Sequence, residues 1–258
     1  MLAANDILVT KGITKSFGGL VALNGVDLAV REKSLTMLIG PNGSGKSTLL
    51  NIISGFYKPD KGKVWFNGRE ITNWPPYKIF DFGVVRTFQI PQPFVRLTVL
   101  ENMLAAYKGN PGESFIKALF KRTWIKYEKE SIEKAFKILK VLDLDHMWDS
   151  RSDQLSGGQM KLLETGRALM CDAKMILMDE PLSGVNPSLA DQILSYFRKI
   201  KERFGVTFLM VEHRLEIALK HVDYVYAMSR GRIISNGTPE EVLNDPVVIE
   251  SYLGGEIA

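Results

Sequence analysis

The chain has 258 residues, 45% hydrophobic and 24% charged, with a net charge of +4; this is ordinary globular usage, which excludes disordered and fibrous classes and suits one large domain or two small ones. Its longest run without Asp, Glu, Lys or Arg is Ser34–Gly45, twelve residues, too short for the roughly 18 apolar residues of a membrane span. Met1–Thr10 lacks the basic start and apolar core of a signal peptide, and the single Cys171 excludes internal disulfides and a cysteine-based zinc site, so a cytosolic address is expected.

Extended runs are predicted at Ile7–Lys11, Leu20–Val30 and Leu35–Ile39, each bounded by turn residues. A helix follows over Ser47–Ser54, with Gly55 placed to end it. Short strands are predicted at Val64–Phe66 and Val84–Phe88, separated by the turn-rich Asn73–Pro76. Thr98 with Glu101 three residues on is a capping-box pattern, opening a helix to about Tyr107. From about Glu113 to Leu144 the pattern turns to long helices, with Ile132, Ala135, Phe136, Leu139 and Leu142 on one apolar face. A helix from Gly157 to about Met170 leads into the apolar strand Met175–Met178. Alternation continues through Leu189–Arg203, Val206–Val211, Leu215–Lys220, Tyr224–Met228 and Arg232–Ser235. Thr238-Pro239 and Asp245-Pro246 start two closing helices, with Gly254 as the stop. Strands at both ends and helices between them predict an α/β core with an inserted helical subdomain at about residues 90–170.

Three motifs carry chemistry. Gly40-Pro41-Asn42-Gly43-Ser44-Gly45-Lys46-Ser47, followed by Thr48, completes the phosphate-loop pattern between a strand and a helix. Its glycines let successive amides point at phosphate oxygens, and the helix start adds a favourable dipole. Lys46 is expected to bridge the outer phosphates and Ser47 to ligate Mg²⁺, a hard cation that takes oxygen ligands. The second motif is Met175–Met178 ending in Asp179-Glu180. Carboxylates at the end of a buried parallel strand lie where ligands bind. Asp179 is expected to hold Mg²⁺, through water, and Glu180 to orient and polarise the attacking water. Alone, an apolar strand ending in Asp-Glu is usually structural.

The third motif is Leu155-Ser156-Gly157-Gly158-Gln159, just before the helix that leads to Asp179. The Ser156 hydroxyl and the Gly157 and Gly158 amides form a second anion cradle at a helix start. With the other two motifs, this pentapeptide makes the chain resemble the ATP-binding-cassette (ABC) ATPases from end to end. The resemblance implies a P-loop NTPase core of the ABC type: a mixed sheet with flanking helices, an antiparallel β subdomain, and an inserted helical subdomain carrying the signature. It also implies ATP hydrolysis with Mg²⁺. Gln89 then matches the glutamine that contacts Mg²⁺ and the attacking water. His213 matches the switch histidine of the γ-phosphate, and Phe17 the aromatic that stacks on adenine. Taken alone, each would be a loop amide, a structural histidine or a core aromatic; His146 and His221 keep the structural reading. Two departures stand out: Asn186 replaces the aspartate that many family members carry, and Met160 replaces a polar residue.

Val84–Gln89, Leu97–Asn102, Gly158–Lys161 and the tail from Gly237 to Gly254 resemble the larger ATPase subunit of branched-chain amino-acid importers. That branch implies a head-to-tail pair with a second ABC ATPase subunit and two integral membrane permease subunits. It further implies an external substrate-binding protein, no nucleic acid, and a peripheral place on the cytoplasmic face of the membrane. The alternatives left open are an importer of another small polar solute and a soluble single-cassette factor for iron–sulfur cluster assembly. Chromosome and repair ATPases are disfavoured because no coiled coil splits the cassette, and ribosome-associated proteins because they carry two cassettes. Lys117–Lys140 holds eight basic and three acidic residues, leaving the rest of the chain near −1. A solvated helix face is the favoured reading of this segment, and attraction to anionic lipid headgroups the alternative.

Overall fold

The computed structural model describes residues 5–87, 92–111 and 121–253. The chain forms two compact units, one from residues 1–89 and 174–258 and one from residues 90–173.

In the first unit, β1 (Asp6–Phe17) and β2 (Leu20–Arg31) form an antiparallel hairpin closed by Phe17 opposite Leu20. The hairpin leads to β3 (Leu35–Ile39), buried at every position, and then α1 (Lys46–Ile53). Next come β4 (Lys61–Phe66), β5 (Arg69–Glu70), α2 (Pro76–Phe82) and β6 (Val84–Arg86). The second unit then contributes α3 (Val99–Ala105), α4 (Lys121–Leu142) and α5 (Gly157–Met170). The chain returns with β7 (Met175–Asp179), α6 (Pro187–Phe204), β8 (Thr207–Val211) and α7 (Leu215–Ala218). It closes with β9 (Tyr224–Ser229), β10 (Arg232–Gly237), α8 (Pro239–Leu243) and α9 (Pro246–Leu253).

Two sheets build the first unit. One is antiparallel, in the order β2-β1-β4-β5; the other runs β10-β9-β3-β8-β7-β6. In the second sheet β9, β3, β8, β7 and β6 are parallel, and β10 adds an antiparallel edge. Strands buried on both faces read as continuous apolar runs, which is why β3, β7 and β8 were plain in sequence. Between the sheets lies one apolar core, including Leu8, Leu23, Leu49, Phe66, Leu177 and Met228. Because β8 separates β3 from β7, the loops after all three strands open side by side at one edge. The site is built there.

In the second unit, Thr98 caps α3 as expected. Its Oγ1 accepts from the Glu101 amide at 3.1 Å, and the Glu101 carboxylate accepts from the Thr98 amide at 2.8 Å. Asn102 is fully buried and meets its hydrogen-bonding needs internally. Its Oδ1 accepts from the Phe94 amide at 2.8 Å, and its Nδ2 donates to Ser152 Oγ at 2.6 Å and Thr98 O at 3.0 Å. Such a satisfied buried amide fixes one packing arrangement. Gly166 lets α5 approach its neighbours: a Cβ there would lie 2.9 Å from Met103 Sδ and 3.0 Å from Leu142 Cδ1.

Several expectations need correction. The first strand extends through bulges to Phe17, well past Lys11. The turn expected at Asn73–Pro76 ends in a helix, since Pro76 occupies the first helical position, where a missing N–H costs nothing. The two-residue β5 escaped periodicity because two residues have no period. On α4, the buried stripe is Ser131, Ala135, Ile138, Leu139 and Leu142, whereas Ile132 is 39% exposed. Ala135, Leu139 and Leu142 of the expected face are buried, and the difference is at its edge, where packing against neighbouring helices buries Ser131 in place of Ile132. Gly254, Phe88 and Gln89 lie outside the described residues.

Candidate functional site

The loop Gly40–Gly45 curls tightly for reasons its neighbours enforce. Gly40 has φ 147°, and a Cβ there would fall 2.0 Å from the Met228 carbonyl oxygen; Gly45 has φ 107°, with Ala22 O at 2.6 Å. No other residue fits either position. Lys46 is 5% exposed. Its ammonium donates to Gly40 O at 2.8 Å, Pro41 O at 2.9 Å and Ser44 Oγ at 3.4 Å. Burial holds its pKa below the ordinary lysine value, while the charges of Glu180 and Asp179 oppose that shift. A cation held against its own loop carbonyls is poised to exchange them for phosphate oxygens.

Ser47 and Asp179 come together from 132 residues apart, with Ser47 Oγ donating to Asp179 Oδ1 at 3.3 Å. The second carboxylate oxygen is taken by Arg86, whose Nη2 lies 3.0 Å away, with side-chain exposures of only 11% and 19%. Arg86 Nη1 also donates to Asn51 Oδ1 at 2.5 Å. The sequence reading missed Arg86 and Asn51; no spacing rule links them to Asp179. Two adjacent oxygen donors, one of them anionic, fit a hard divalent cation such as Mg²⁺.

Glu180 and His213 meet at the ends of β7 and β8, with His213 Nε2 3.2 Å from Glu180 Oε1 and both side chains about one-third exposed. Glu180 has a left-handed backbone, φ 51°. A 310 Å³ cleft is lined by Phe17, Leu20, Asn42, Lys46, Glu180 and His213 among others. Phe17 is 43% exposed at its rim and packs edge-on against Tyr57 at 5.3 Å. The structure thus gathers Phe17, the phosphate loop with Thr48, Asp179, Glu180 and His213 in the first unit.

In the second unit Ser156 is the N-cap of α5. Its Oγ accepts from the Gln159 amide at 3.3 Å, and Gln159 Oε1 accepts from the Ser156 amide at 2.9 Å. Gln159 is thereby held by the cap, and its Nε2 reaches Met147 Sδ at 3.3 Å. A Cβ on Gly157 would meet nothing within 4 Å, and its φ is not left-handed. Within the fold, then, neither backbone conformation nor close packing requires a glycine at that position. Asn186 caps α6, accepting from the Leu189 amide at 2.9 Å, so its side chain has a structural duty whatever else it contacts. His221 bonds Asp191 at 2.8 Å. Lys134, from the basic segment, is engaged by Asp172 at 2.6 Å and Met170 O at 2.9 Å.

A family model described as ABC transporter matches residues 23–183, more than half of the chain. The chain belongs to the ABC transporter family. It is an ATP-binding cassette and an ATPase of that family. A second model, described as branched-chain amino acid ATP-binding cassette transporter, matches residues 232–258 of the cassette. A probable branched-chain amino acid transport ATP-binding protein LivG of Archaeoglobus fulgidus is 53% identical over 97% of this chain and 96% of its own. Its namesake from Methanocaldococcus jannaschii is 51% identical, over 96% and 98%. The high-affinity protein BraF of Pseudomonas aeruginosa is 36% identical, over 97% and 99%. Among solved structures, the ADP conformation of an ABC transporter cassette superposes with a TM-score of 0.83 at 50% identity, covering 96% and 99%. A dimeric post-hydrolysis cassette bound to ADP and Pi gives 0.70 at 25% identity, over 90% and 98%. Among the described residues of this cassette, no helix is long and apolar enough to cross a membrane.

Proposed function

We propose that this cassette is the ATP-hydrolysing subunit that powers a branched-chain amino-acid importer. The observation that carries the reading is the match of its tail, residues 232–258, to the branched-chain cassette model, together with relatives above 50% identity along nearly the whole chain. The same tail match weighs against the iron–sulfur assembly alternative. The partners proposed are a second ABC ATPase subunit, two integral membrane permease subunits and, indirectly, an external binding protein. The place proposed is the cytoplasmic face of the membrane.

The cleft supports the following division of labour. Phe17 stacks on adenine, and the Gly40–Ser47 amides cradle the phosphates. Lys46 leaves its loop carbonyls to face the outer phosphates. Ser47 and Asp179 would hold Mg²⁺, with Gln89 outside the described residues; the ion supplies positive charge against the phosphate oxygens. Glu180 orients a water in line with the γ-phosphorus and accepts its proton as the oxygen–phosphorus bond forms, and the bond to the β-phosphate oxygen breaks to leave ADP and phosphate. His213 donates to the γ-phosphate. The Ser156–Gly158 cradle of one subunit closes over nucleotide held by the Lys46 loop of its partner, which the unexplained glycine at 157 and the dimeric relatives support. Nucleotide binding the closed pair more tightly than the open one drives closure, and loss of the γ-phosphate reverses it.

Reconstitution with permease subunits in proteoliposomes tests the reading. Leucine-loaded binding protein should stimulate ATP turnover and leucine uptake together. Stimulation by a different solute alone would overturn the assigned cargo, and purification with only soluble partners would overturn the transporter assignment.

A further inference from the structure

Glu212 directly follows β8 and is 2% exposed. Its Oε1 accepts from the Leu182 amide at 2.6 Å, and its Oε2 accepts from the His213 amide at 3.0 Å and the Arg214 amide at 3.4 Å. One buried carboxylate therefore serves amides of two loops, the one after β7 and the one after β8. Arg214 adds a second tie between these loops, its Nη1 donating to Val185 O. The loops are also joined at their roots, where the Glu180 amide donates to Val211 O at 2.9 Å. Framed by these ties is the 3.2 Å contact of His213 with Glu180. A non-glycine residue in the left-handed region, such as Glu180, is strained and persists only where its surroundings over-determine it.

We infer that Glu212 is a positioning residue for ATP hydrolysis: its carboxylate locks the Glu180 turn to the His213 loop, so that base and imidazole reach the terminal phosphate as one unit. The inference rests on the reading of Glu180 and His213 given above and adds what sets their spacing. The alternative, a carboxylate retained for stability, is at odds with its cost. Burial pushes the Glu212 carboxyl above the ordinary carboxylate range, the Glu180 charge pushes the same way, and only the three backbone amides pull it back. Between the ordinary value and its raised folded value, the folded state binds the extra proton, so the ionised group weakens the fold once pH exceeds that folded value.

Glu212→Gln separates positioning from stability. The amide has the same shape and no charge to bury, yet its NH₂ must face an N–H donor on one of the two loops, so one tie is lost. At neutral pH the relief of charge burial and the lost tie offset each other, so the melting temperature should stay within a few degrees of the wild-type value, and half-saturating ATP should shift by less than about threefold. Turnover should fall about ten- to a hundredfold, as expected for a misplacement on the order of 1 Å. Glu212→Asp keeps acceptors toward both loops at shorter reach and should rank between the two. If the glutamine variant does not fold, the aspartate variant decides, with reduced turnover at unchanged melting temperature expected. Wild-type turnover in the folded variant overturns the inference. So does a turnover loss that merely tracks loss of stability and ATP binding. Glu180→Gln runs in parallel, because normal turnover there would overturn the assignment of the base itself and not the role of Glu212 alone.

Discussion

Ser47 Oγ donates to Asp179 Oδ1 at 3.3 Å, while Arg86 occupies the other oxygen of the same carboxylate at 3.0 Å. The helix start after β3 and the end of β7 thus converge on one pair of oxygen donors, and a basic side chain fixes which way the acid faces. Ser47→Ala should lower the affinity of the ATP-bound protein for divalent metal by about tenfold or more. Titration with Mn²⁺ followed by electron paramagnetic resonance measures this directly, and unchanged affinity would remove Ser47 from the ligand set.

Arg86→Met leaves Asp179 without its partly buried partner. A loss of about 3 kcal/mol of unfolding free energy is expected, read by urea denaturation. Metal affinity should fall about tenfold as Asp179 loses its fixed orientation. A variant as stable as wild type would show that solvent screens the pair.

Lys46 gives a pH prediction. Its folded pKa is lowered, chiefly by burial, so between that value and the ordinary lysine value the unfolded chain binds more protons. Stability of the nucleotide-free protein therefore gains from this group as pH rises through that alkaline window. Phosphate oxygens beside the ammonium favour the charged form. ATP binding in the same window should take up protons, seen as a calorimetric enthalpy that varies with the ionisation enthalpy of the buffer. Lys46→Ala should abolish both the uptake and most of the affinity.

Gly157→Ala places a methyl in open space, and alanine suits a helix better than glycine by roughly 0.5–1 kcal/mol. The melting temperature should hold or rise, while ATP turnover should drop sharply if the proposed closure of the Ser156–Gly158 cradle over a partner's nucleotide needs that surface bare. Equal turnover would remove the reason for the glycine.

Phe17→Ala should raise half-saturating ATP by about three- to tenfold, the equivalent of a lost aromatic contact, with turnover at saturation unchanged. Steady-state kinetics across ATP concentrations decide it. A fall in maximal turnover instead would place Phe17 in the chemistry.

What the sequence determined by itself was everything whose physics is local. The phosphate loop, the Thr98 cap and the apolar strands β3, β7 and β8 depend on backbone conformation and on neighbours a few residues away, so spacing alone exposes them. The family followed from three such segments in order. Tertiary structure alone decided which groups share an environment. Arg86 reaches Asp179 across 93 residues and Glu212 reaches Leu182 across 30; no period or spacing encodes either pair. The same holds for the turn of α4 that buries Ser131 and exposes Ile132, since packing against neighbouring helices chooses the phase. Low-dielectric burial makes such distant partners obligatory, because a buried charge or amide must find its complement wherever the fold brings one.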